Sequence, residues 1–363
     1  MRPSRIEIDL GAIRHNVAAL AAEAAPAEVI AVVKANAYGH GDVPASEAAL
    51  AAGAPWLAVA LVEEAARLRE AGIDAPILLL SEPPVADATQ IRRWGITPSV
   101  YRREFVEALA AASDDVLDVQ LVVDTGMHRV GVAPERAVEL ARQVSDAPSL
   151  RLAGMWTHFA VAEDDEEFSR LQVERFESAA EQVRQAGLDP GRLHLSNSAG
   201  VLHVRPEATM ARVGLGMYGL HPDPSRTDVE LRPAMRVVSR VGFTQRLPAG
   251  ERPSYGRRRA LPADATVATV PIGYADGVPR LLSQRGGEVL IGGVRRPFAG
   301  TVTMDQIVID CGDDPVEVGD EVVLLGRQAD EEITADEWAE RTETISWEIV
   351  TRMGERLPRR YLR

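Results

Sequence analysis

Short apolar runs alternate with amphipathic stretches from the start of the chain to about residue 225. A short apolar run is typical of a buried strand, and apolar residues at helical spacing are typical of an amphipathic helix. The first such run starts at Val29 and ends before Lys34, and the other predicted strands are residues 56–61, 76–80, 97–100, 119–124, 152–158, 193–198 and 210–214. Strands that alternate with helices indicate a parallel sheet. Eight such units over roughly 200–250 residues match a closed (β/α)8 barrel of the TIM type, so the predicted fold class is α/β.

The pattern changes after Tyr218, where residues 221–226 are typical of a linker. Beyond it lie short runs rich in Val, Thr and Ile, separated by Gly and Pro. The predicted strands here are residues 235–245, 265–271, 287–291, 306–311 and 321–325, and the predicted helices are residues 335–341 and 347–351. We therefore expect a barrel domain over residues 1–225 and a mostly β C-terminal domain over residues 226–363.

Lys34, at the end of the first predicted barrel strand, is the only lysine in the chain, whereas arginine is abundant. A primary amine can lose its proton and attack a carbonyl carbon, which an arginine cannot do. Burial would also lower the pKa of such an amine. Lys34 is therefore either a Schiff-base lysine or an ordinary lysine whose amine reaches solvent from the rim of the barrel.

Polar residues end several of the other predicted barrel strands. They are Arg129, His158, Asn197, Ser198 and Arg212. In a (β/α)8 barrel the chemistry takes place at the carboxyl ends of the strands, which meet at one rim. We expect these side chains and Lys34 to converge there.

Charge and composition exclude some functions. The formal net charge is −14, which argues against nucleic acid or an anionic membrane surface as a partner. A single cysteine, Cys311, excludes an intrachain disulfide and favours a reducing, cytoplasmic location. Charged residues interrupt the first ten positions, so we expect no signal peptide there. No apolar run approaches the roughly 20 residues of a spanning helix.

The stretch Val32-Val33-Lys34-Ala35-Asn36-Ala37-Tyr38-Gly39-His40-Gly41 resembles the pyridoxal-phosphate attachment signature of the alanine racemases, which are fold-type III enzymes. Further matching stretches, in family order, are residues 8–16, 123–131, 157–160, 196–199, 211–214, 273–277 and 304–306. The resemblance implies a pyridoxal 5'-phosphate-dependent racemase of alanine, an isomerase that forms D-alanine from a small amino-acid substrate. It also implies a homodimer in which the barrel of one subunit and the β domain of the other share each active site.

The resemblance assigns roles to individual residues. Lys34 would hold the cofactor and act as the base on one face of the substrate, and Tyr274 of the partner subunit would be the base on the other face. A phenol has a pKa of about 10 and needs a nearby cation to act as a base, which the His158 and Arg212 matches would supply. The residues expected to bind the cofactor are Lys34, Tyr38, His158, Asn197, Ser198, Arg212, Gly214 and Leu215. Arg129 and Met304 would hold the substrate carboxylate, and no metal is expected.

Two positions depart from the family pattern. Val122 stands where many members have a lysine modified to a carbamate, so Arg129 would need a bound halide, another carboxylate or a shifted position. Trp347 stands where the family usually has a tyrosine near the phosphate and the mouth of the site. The tryptophan keeps a hydrogen-bond donor but is bulkier. It is therefore either a neutral replacement or a change that broadens the set of amino-acid substrates.

Two other functions compete with racemisation. A related barrel decarboxylase of basic amino acids would need a longer glycine-rich phosphate loop and a cysteine beside an acidic residue in the β domain, and neither is found. A non-catalytic homologue that only binds pyridoxal phosphate would lack the second domain, which this chain has. Loss of catalysis through Trp347 would still be compatible with that second alternative.

Overall fold

A computed structural model describes residues 2–225 and 228–363, which form two compact units. The barrel unit comprises residues 12–37 and 42–232, and the β-rich unit comprises residues 1–11, 38–41 and 233–363. The strands are β1 (Arg5–Asp9), β2 (Glu28–Val32), β3 (Trp56–Val59), β4 (Ile77–Leu79), β5 (Thr97–Val100), β6 (Leu117–Val122), β7 (Leu150–Trp156), β8 (Arg192–His194), β9 (Met210–Val213), β10 (Met235–Arg240), β11 (Phe243–Leu247), β12 (Ala265–Val270), β13 (Glu288–Ile291), β14 (Val294–Pro297), β15 (Ile307–Asp310), β16 (Glu321–Gln328), β17 (Glu331–Ile333) and β18 (Arg359–Leu362). The helices are α1 (Leu10–Ala24), α2 (Lys34–Tyr38), α3 (Asp42–Ala51), α4 (Val62–Glu70), α5 (Ala88–Trp94), α6 (Arg103–Ala111), α7 (Ala137–Asp146), α8 (Glu166–Gln185), α9 (Ala335–Thr342) and α10 (Ser346–Thr351).

Within the described residues, eight parallel strands form the sheet of the barrel unit, in the order β8-β7-β6-β5-β4-β3-β2-β9. The pairing of β9 with β2 brings the last strand next to the first. Two backbone hydrogen bonds, both 2.9 Å long, connect β9 and the residue before it with β8 and the segment after it: Thr209 N donates to Leu193 O, and Arg212 N donates to Ser196 O. The sheet thus curls into a nearly closed barrel, and the predicted fold class is confirmed. Each predicted barrel strand is present, with ends that differ by a few residues.

The helices around the barrel follow the apolar periodicity of the sequence, as α8 illustrates. Asp165 precedes it and accepts a hydrogen bond from Phe168 N at 2.9 Å, which satisfies one of the free N–H groups at the start of the helix. Phe176, Ala179 and Val183 lie three and four residues apart and are fully buried. This apolar face packs the helix into the core of the barrel unit.

The β-rich unit contains two sheets among the described residues. The larger sheet has the order β14-β13-β16-β10-β1-β18, with β17 paired to β16, and the smaller sheet has the order β11-β12-β15. Strand β1 pairs antiparallel with β10 and parallel with β18. The grouping therefore differs from the predicted division at residue 225, because residues 1–11 and 38–41 belong to the β-rich unit. The period-2 alternation of residues 5–9, with Ile6 and Ile8 fully buried, explains why the first segment forms a strand.

The short helix α2 is left-handed, with φ values of 51–53° at Ala35, Asn36, Ala37 and Tyr38. A left-handed backbone costs about 1–2 kcal/mol per residue when the residue is not glycine. Gly39 continues this run of positive φ with a value of 82°, and Gly41 has a φ of 98°. None of the helices in the described residues is both long and apolar enough to cross a membrane.

Candidate active site

Lys34 lies just after the carboxyl end of β2, as expected, and is partly buried. Burial lowers the pKa of its amine below the ordinary value, and the positive charge of Arg129 lowers it further. Glu64 acts in the opposite direction, and Arg212 adds a smaller lowering effect on the same pKa. A larger fraction of neutral amine makes Lys34 a better nucleophile than an exposed lysine.

Arg212, on β9, is buried and only 3% exposed. Its guanidinium donates to the carbonyl oxygens of Thr157 at 2.6 Å, Leu195 at 2.9 Å and His194 at 3.1 Å. The same group stacks over the ring of Trp156 at 4.7 Å. In the described part of the chain these hydrogen-bond partners are neutral, and no carboxylate pairs with Arg212. Burial, followed by the charge of Arg129, lowers the pKa of Arg212 to about 9, so the group is still a cation at neutral pH.

His194 connects Arg212 to Gln120 through two side-chain hydrogen bonds. Arg212 donates to Nδ1 of His194 at 2.8 Å, so the remaining proton of the neutral ring is on Nε2. That Nε2 lies 2.5 Å from Oε1 of Gln120, which accepts the proton's hydrogen bond. Burial, and then the charge of Arg212, hold the pKa of His194 well below its ordinary value. Sequence reasoning missed both residues, although Gln120 stands out as a polar side chain in an otherwise apolar run.

His158 is the second imidazole near Arg212, with Nδ1 3.4 Å from the guanidinium. Burial lowers its pKa well below the ordinary value, and the charges of Arg212, Arg129 and Lys34 add to this effect. His158 is therefore neutral at neutral pH, and the positive charges that act on it are those of the two arginines and Lys34. The structure thus brings together four of the predicted residues, namely Lys34, Arg129, His158 and Arg212.

Arg129 is exposed and follows a turn that Asp124 stabilises. Oδ1 of Asp124 accepts hydrogen bonds from the backbone N–H groups of Gly126 at 3.0 Å and His128 at 2.9 Å. Val122 is buried and apolar, 2% exposed, and lines a small cavity together with Arg129 and His158. No ion pair of Arg129 is found among the described residues, which leaves its guanidinium available to an anionic ligand.

A second group of predicted residues lies after β8 and β9, the seventh and eighth strands of the barrel. Oγ of Ser198 accepts from the backbone N–H groups of Gly214 at 3.1 Å and Gly216 at 3.3 Å. Asn197 accepts from the N–H of Gly200 at 2.8 Å. Leu215 begins a 3₁₀ turn directly after Gly214. The loops after strands seven and eight frequently bind phosphate in such barrels, so backbone N–H groups and a hydroxyl here fit a phosphorylated cofactor.

Tyr38, the remaining cofactor-binding candidate, groups with the β-rich unit and is 9% exposed. Burial raises its pKa to about 12. Its phenol therefore keeps its proton at neutral pH and can donate a hydrogen bond to an anion.

Tyr274 and Met304 also belong to the β-rich unit, and the structure places them side by side. Tyr274 N donates to Thr303 O at 3.0 Å, and Ala275 N donates to Met304 O at 3.1 Å. The side chains of Tyr274 and Met304 are 42% and 53% exposed. Gly273 has no room for a side chain, since a Cβ would lie 2.4 Å from Met304 O.

Tyr255 is a second exposed tyrosine on the β-rich unit, and sequence reasoning missed it. Its side chain is 72% exposed, more than that of Tyr274. Hydrogen bonds from Ser254 Oγ to Thr301 O at 2.6 Å and from Thr301 Oγ1 to Tyr255 O at 2.7 Å fix it beside the segment that precedes Met304. Ser254 and Arg257 have positive φ values of 67° and 46°, and such strain is concentrated at functional sites. In the sequence, only the tripeptide Ser254-Tyr255-Gly256 could have pointed to Tyr255 as a candidate.

Comparison with known proteins gives a consistent result. The family described as "Alanine racemase, N-terminal domain" matches residues 8–222, and "Alanine racemase, C-terminal domain" matches residues 234–361. An alanine racemase of Symbiobacterium thermophilum is 43% identical over 368 residues, which cover 99% of this chain and 97% of that protein. The solved alanine racemase of Streptomyces lavendulae superposes with a TM-score of 0.94 at 39% identity, covering 100% and 98% of the two chains. A histidine racemase of Leuconostoc mesenteroides superposes with a TM-score of 0.91 at 28% identity, covering 100% and 98%.

Proposed function

Since the chain belongs to the alanine racemase family and is an isomerase, we propose that it interconverts L- and D-alanine with pyridoxal 5'-phosphate as cofactor. The observation that carries this proposal is the position of Lys34. The only lysine of the chain lies at a barrel strand end, has a lowered pKa, and is within electrostatic reach of a buried arginine that no carboxylate neutralises in the described residues.

Several of the predicted residues would bind different parts of the cofactor. Lys34 would hold it covalently, and the backbone near Ser198, Gly214 and Leu215, with Tyr38 and Asn197, would hold its phosphate and surroundings. Arg212 would donate to the ring nitrogen. When bound, the cofactor withdraws electrons from the α-carbon of the substrate and so acidifies the α-hydrogen. An arginine stays protonated and cannot hand over its proton, which limits side reactions such as transamination.

Inversion at the α-carbon requires a base on each face, and we propose Lys34 for one of them. The other would be a tyrosine from the β-rich unit of the partner subunit in a homodimer. The sequence resemblance favours Tyr274, whereas exposure and the strained backbone around it favour Tyr255. Both tyrosines lie next to the segment that ends at Met304, so either could reach a site to which Met304 contributes.

Arg129 would bind the substrate carboxylate, with the backbone of Met304 as a further contact. A guanidinium suits a carboxylate because it can donate two parallel hydrogen bonds. A second substrate class also has support. One of the proteins with a similar fold is a histidine racemase. In addition, this chain has Trp347 where the family usually has a tyrosine. A broader or different amino-acid range is therefore the alternative proposal.

The test is turnover of the chain loaded with pyridoxal phosphate, in D₂O, with L-alanine, D-alanine and a panel of small amino acids and histidine. We expect each enantiomer of alanine to give the other, with deuterium at the α-carbon. Deuterium exchange without inversion, or no reaction with any amino acid while the cofactor is bound, would contradict the proposal. The second of these results would indicate a non-catalytic homologue.

Tyr255→Phe and Tyr274→Phe separate the two candidate bases. The variant that lacks the base should lose inversion by roughly 10²–10⁴-fold while Lys34 still exchanges the α-hydrogen on its own face. The other variant should keep inversion.

Mixing a Lys34→Ala subunit with the inactive tyrosine variant tests the shared site. Hybrid dimers should regain turnover, because one of their two sites contains both bases. No recovery from a mixture that forms hybrid dimers would exclude a base from the partner subunit.

A further inference from the structure

Glu64, on α4, has a buried carboxylate that bonds to the backbone next to Lys34. Its side chain is only 8% exposed. Oε1 accepts from Ala35 N at 2.6 Å, and Oε2 accepts from Ala60 N at 2.8 Å and Leu61 N at 3.1 Å. Ala60 and Leu61 directly follow β3, the neighbour of β2 in the barrel. One carboxylate therefore ties the ends of two adjacent strands together.

The bond to Ala35 falls where the backbone is strained. Ala35 is the residue after Lys34 and the first of five consecutive residues with positive φ, the last of which is Gly39. Such a turn persists only when surrounding contacts fix it. The hydrogen bond from Ala35 N holds the start of the turn, and so fixes the direction in which the Lys34 side chain leaves the strand.

Glu64 also differs in charge from its surroundings. Arg129 and Arg212 act on Lys34 as positive charges, and His158 is neutral. Glu64 is the group that counters their lowering of the Lys34 pKa. A hydrogen bond to an ionised carboxylate is about twice as strong as one between neutral groups, so three of them hold this charge firmly in place.

We propose that Glu64 is a positioning residue for Lys34, because its carboxylate fixes the peptide after Lys34 to the end of β3 and balances the arginine charges around the amine. This inference rests on the proposed role of Lys34 as the cofactor-binding amine. A Glu at this point of α4 could otherwise be only a helix cap. A cap, however, would need only the bonds from Ala60 N and Leu61 N, whereas the third bond, from Ala35 N, reaches the backbone beside Lys34.

Three variants separate these effects. Glu64→Gln keeps the shape but removes the charge, and its NH₂ group cannot accept from a backbone N–H. Glu64→Asp keeps the charge, but it is one methylene shorter and cannot reach all three N–H groups. Glu63→Gln is the matched control, since Glu63 is the exposed neighbour on the same helix. Circular dichroism of each full-length variant, freed of cofactor, is first compared with that of the original protein.

The charge effect can be measured directly, because the chain has one lysine. Protein labelled with ¹³C- and ¹⁵N-lysine gives a single side-chain signal, whose pH titration reports the pKa of Lys34. In Glu64→Gln we expect this pKa to fall below that of the original protein, while Glu63→Gln leaves it unchanged. Equal pKa values in Glu64→Gln and the original protein would overturn the electrostatic part of the inference.

The positioning effect is measured as the rate at which free pyridoxal phosphate attaches to Lys34, followed by absorbance. We expect Glu64→Asp to slow attachment by roughly 10–100-fold, because a small displacement of a reacting group has an effect of this size. An attachment rate equal to that of Glu63→Gln would overturn the positioning role. Neither measurement needs turnover, so a failure of the proposed racemase activity would be recognised separately, in the original protein.

Discussion

Arg212 donates a hydrogen bond to Nδ1 of His194 across 2.8 Å, and this contact fixes the tautomer of a fully buried imidazole. His194 in turn donates from its Nε2 to Oε1 of Gln120. Nε2 of Gln120 has no hydrogen-bond partner among the described residues. Gln120 and Arg212 hold the His194 ring through both of its nitrogen atoms.

Replacement of Arg212 by lysine should destabilise the fold. A lysine amine cannot reproduce the planar fork that reaches three carbonyl groups and His194, so buried acceptors would lose their donors. We expect a decrease of about 1–3 kcal/mol in the free energy of unfolding, measured by urea denaturation of cofactor-free protein. Arg136→Lys, at an exposed position directly before α7, is the control and should be neutral within about 0.5 kcal/mol.

Stability should fall in acid because of the two buried imidazoles. The pKa values of His158 and His194 lie well below 6.5 in the folded chain, since burial and nearby cations disfavour their charged forms. Below about pH 6.5 the unfolded state therefore binds protons that the folded state does not, so stability is fully present above this pH and is lost as the pH falls. In His194→Asn the slope of unfolding free energy against pH should decrease by up to about 1.4 kcal/mol per pH unit. An unchanged slope between pH 6.5 and 5 would contradict this explanation.

Asp276 should control both stability and the loop of Tyr274. Its carboxylate is fully buried, forms a bidentate pair with Arg2, and accepts from Gly273 N at 2.9 Å. Asp276→Ala leaves the buried N–H of Gly273 and the partly exposed Arg2 without their acceptor, and we expect a loss of about 1–3 kcal/mol in unfolding free energy. Turnover at a temperature where the variant is folded should also fall. Arg356→Gln removes a partly exposed partner of Asp276 and should have a much smaller effect on stability.

Trp347 is the position at which substrate range can be tested. The residue lies on α10 and is partly exposed. If its bulk reshapes the substrate pocket, Trp347→Tyr should narrow the amino acids that are racemised towards alanine, measured as kcat/KM across the panel. An unchanged ranking would mean that Trp347 is a neutral replacement.

The barrel could be predicted because several of its strands lie in local apolar runs, as in residues 29–33, which stand between Glu28 and Lys34 and largely form β2. Strand β18 could not, because its Arg359-Arg360-Tyr361-Leu362 sequence is mostly exposed and is a strand only through pairing with β1. The left-handed turn after Lys34 could not be predicted from the sequence either. Ala35 and Ala37 favour right-handed helices, and contacts from elsewhere, including Glu64, override this preference.

Residues of the candidate site could be predicted from the sequence where the residue type is chemically special, as for the single lysine and the arginine of β9. Gln120, His194 and Glu64 were not identified, because their importance arises from which groups they contact across the barrel. Tyr255 was missed for a different reason, since an exposed tyrosine in a loop resembles many others until its backbone and hydrogen bonds are known.

The amine of Lys34 is the group that we propose holds the cofactor. It can be identified by borohydride reduction of the protein loaded with pyridoxal phosphate, followed by mass measurement of its peptides. We expect one phosphopyridoxyl group per chain, located at Lys34, complete loss of alanine turnover after reduction, and no adduct in Lys34→Arg. A reduced protein that carries the group elsewhere, or that still racemises alanine with Lys34 modified, would contradict this role of Lys34.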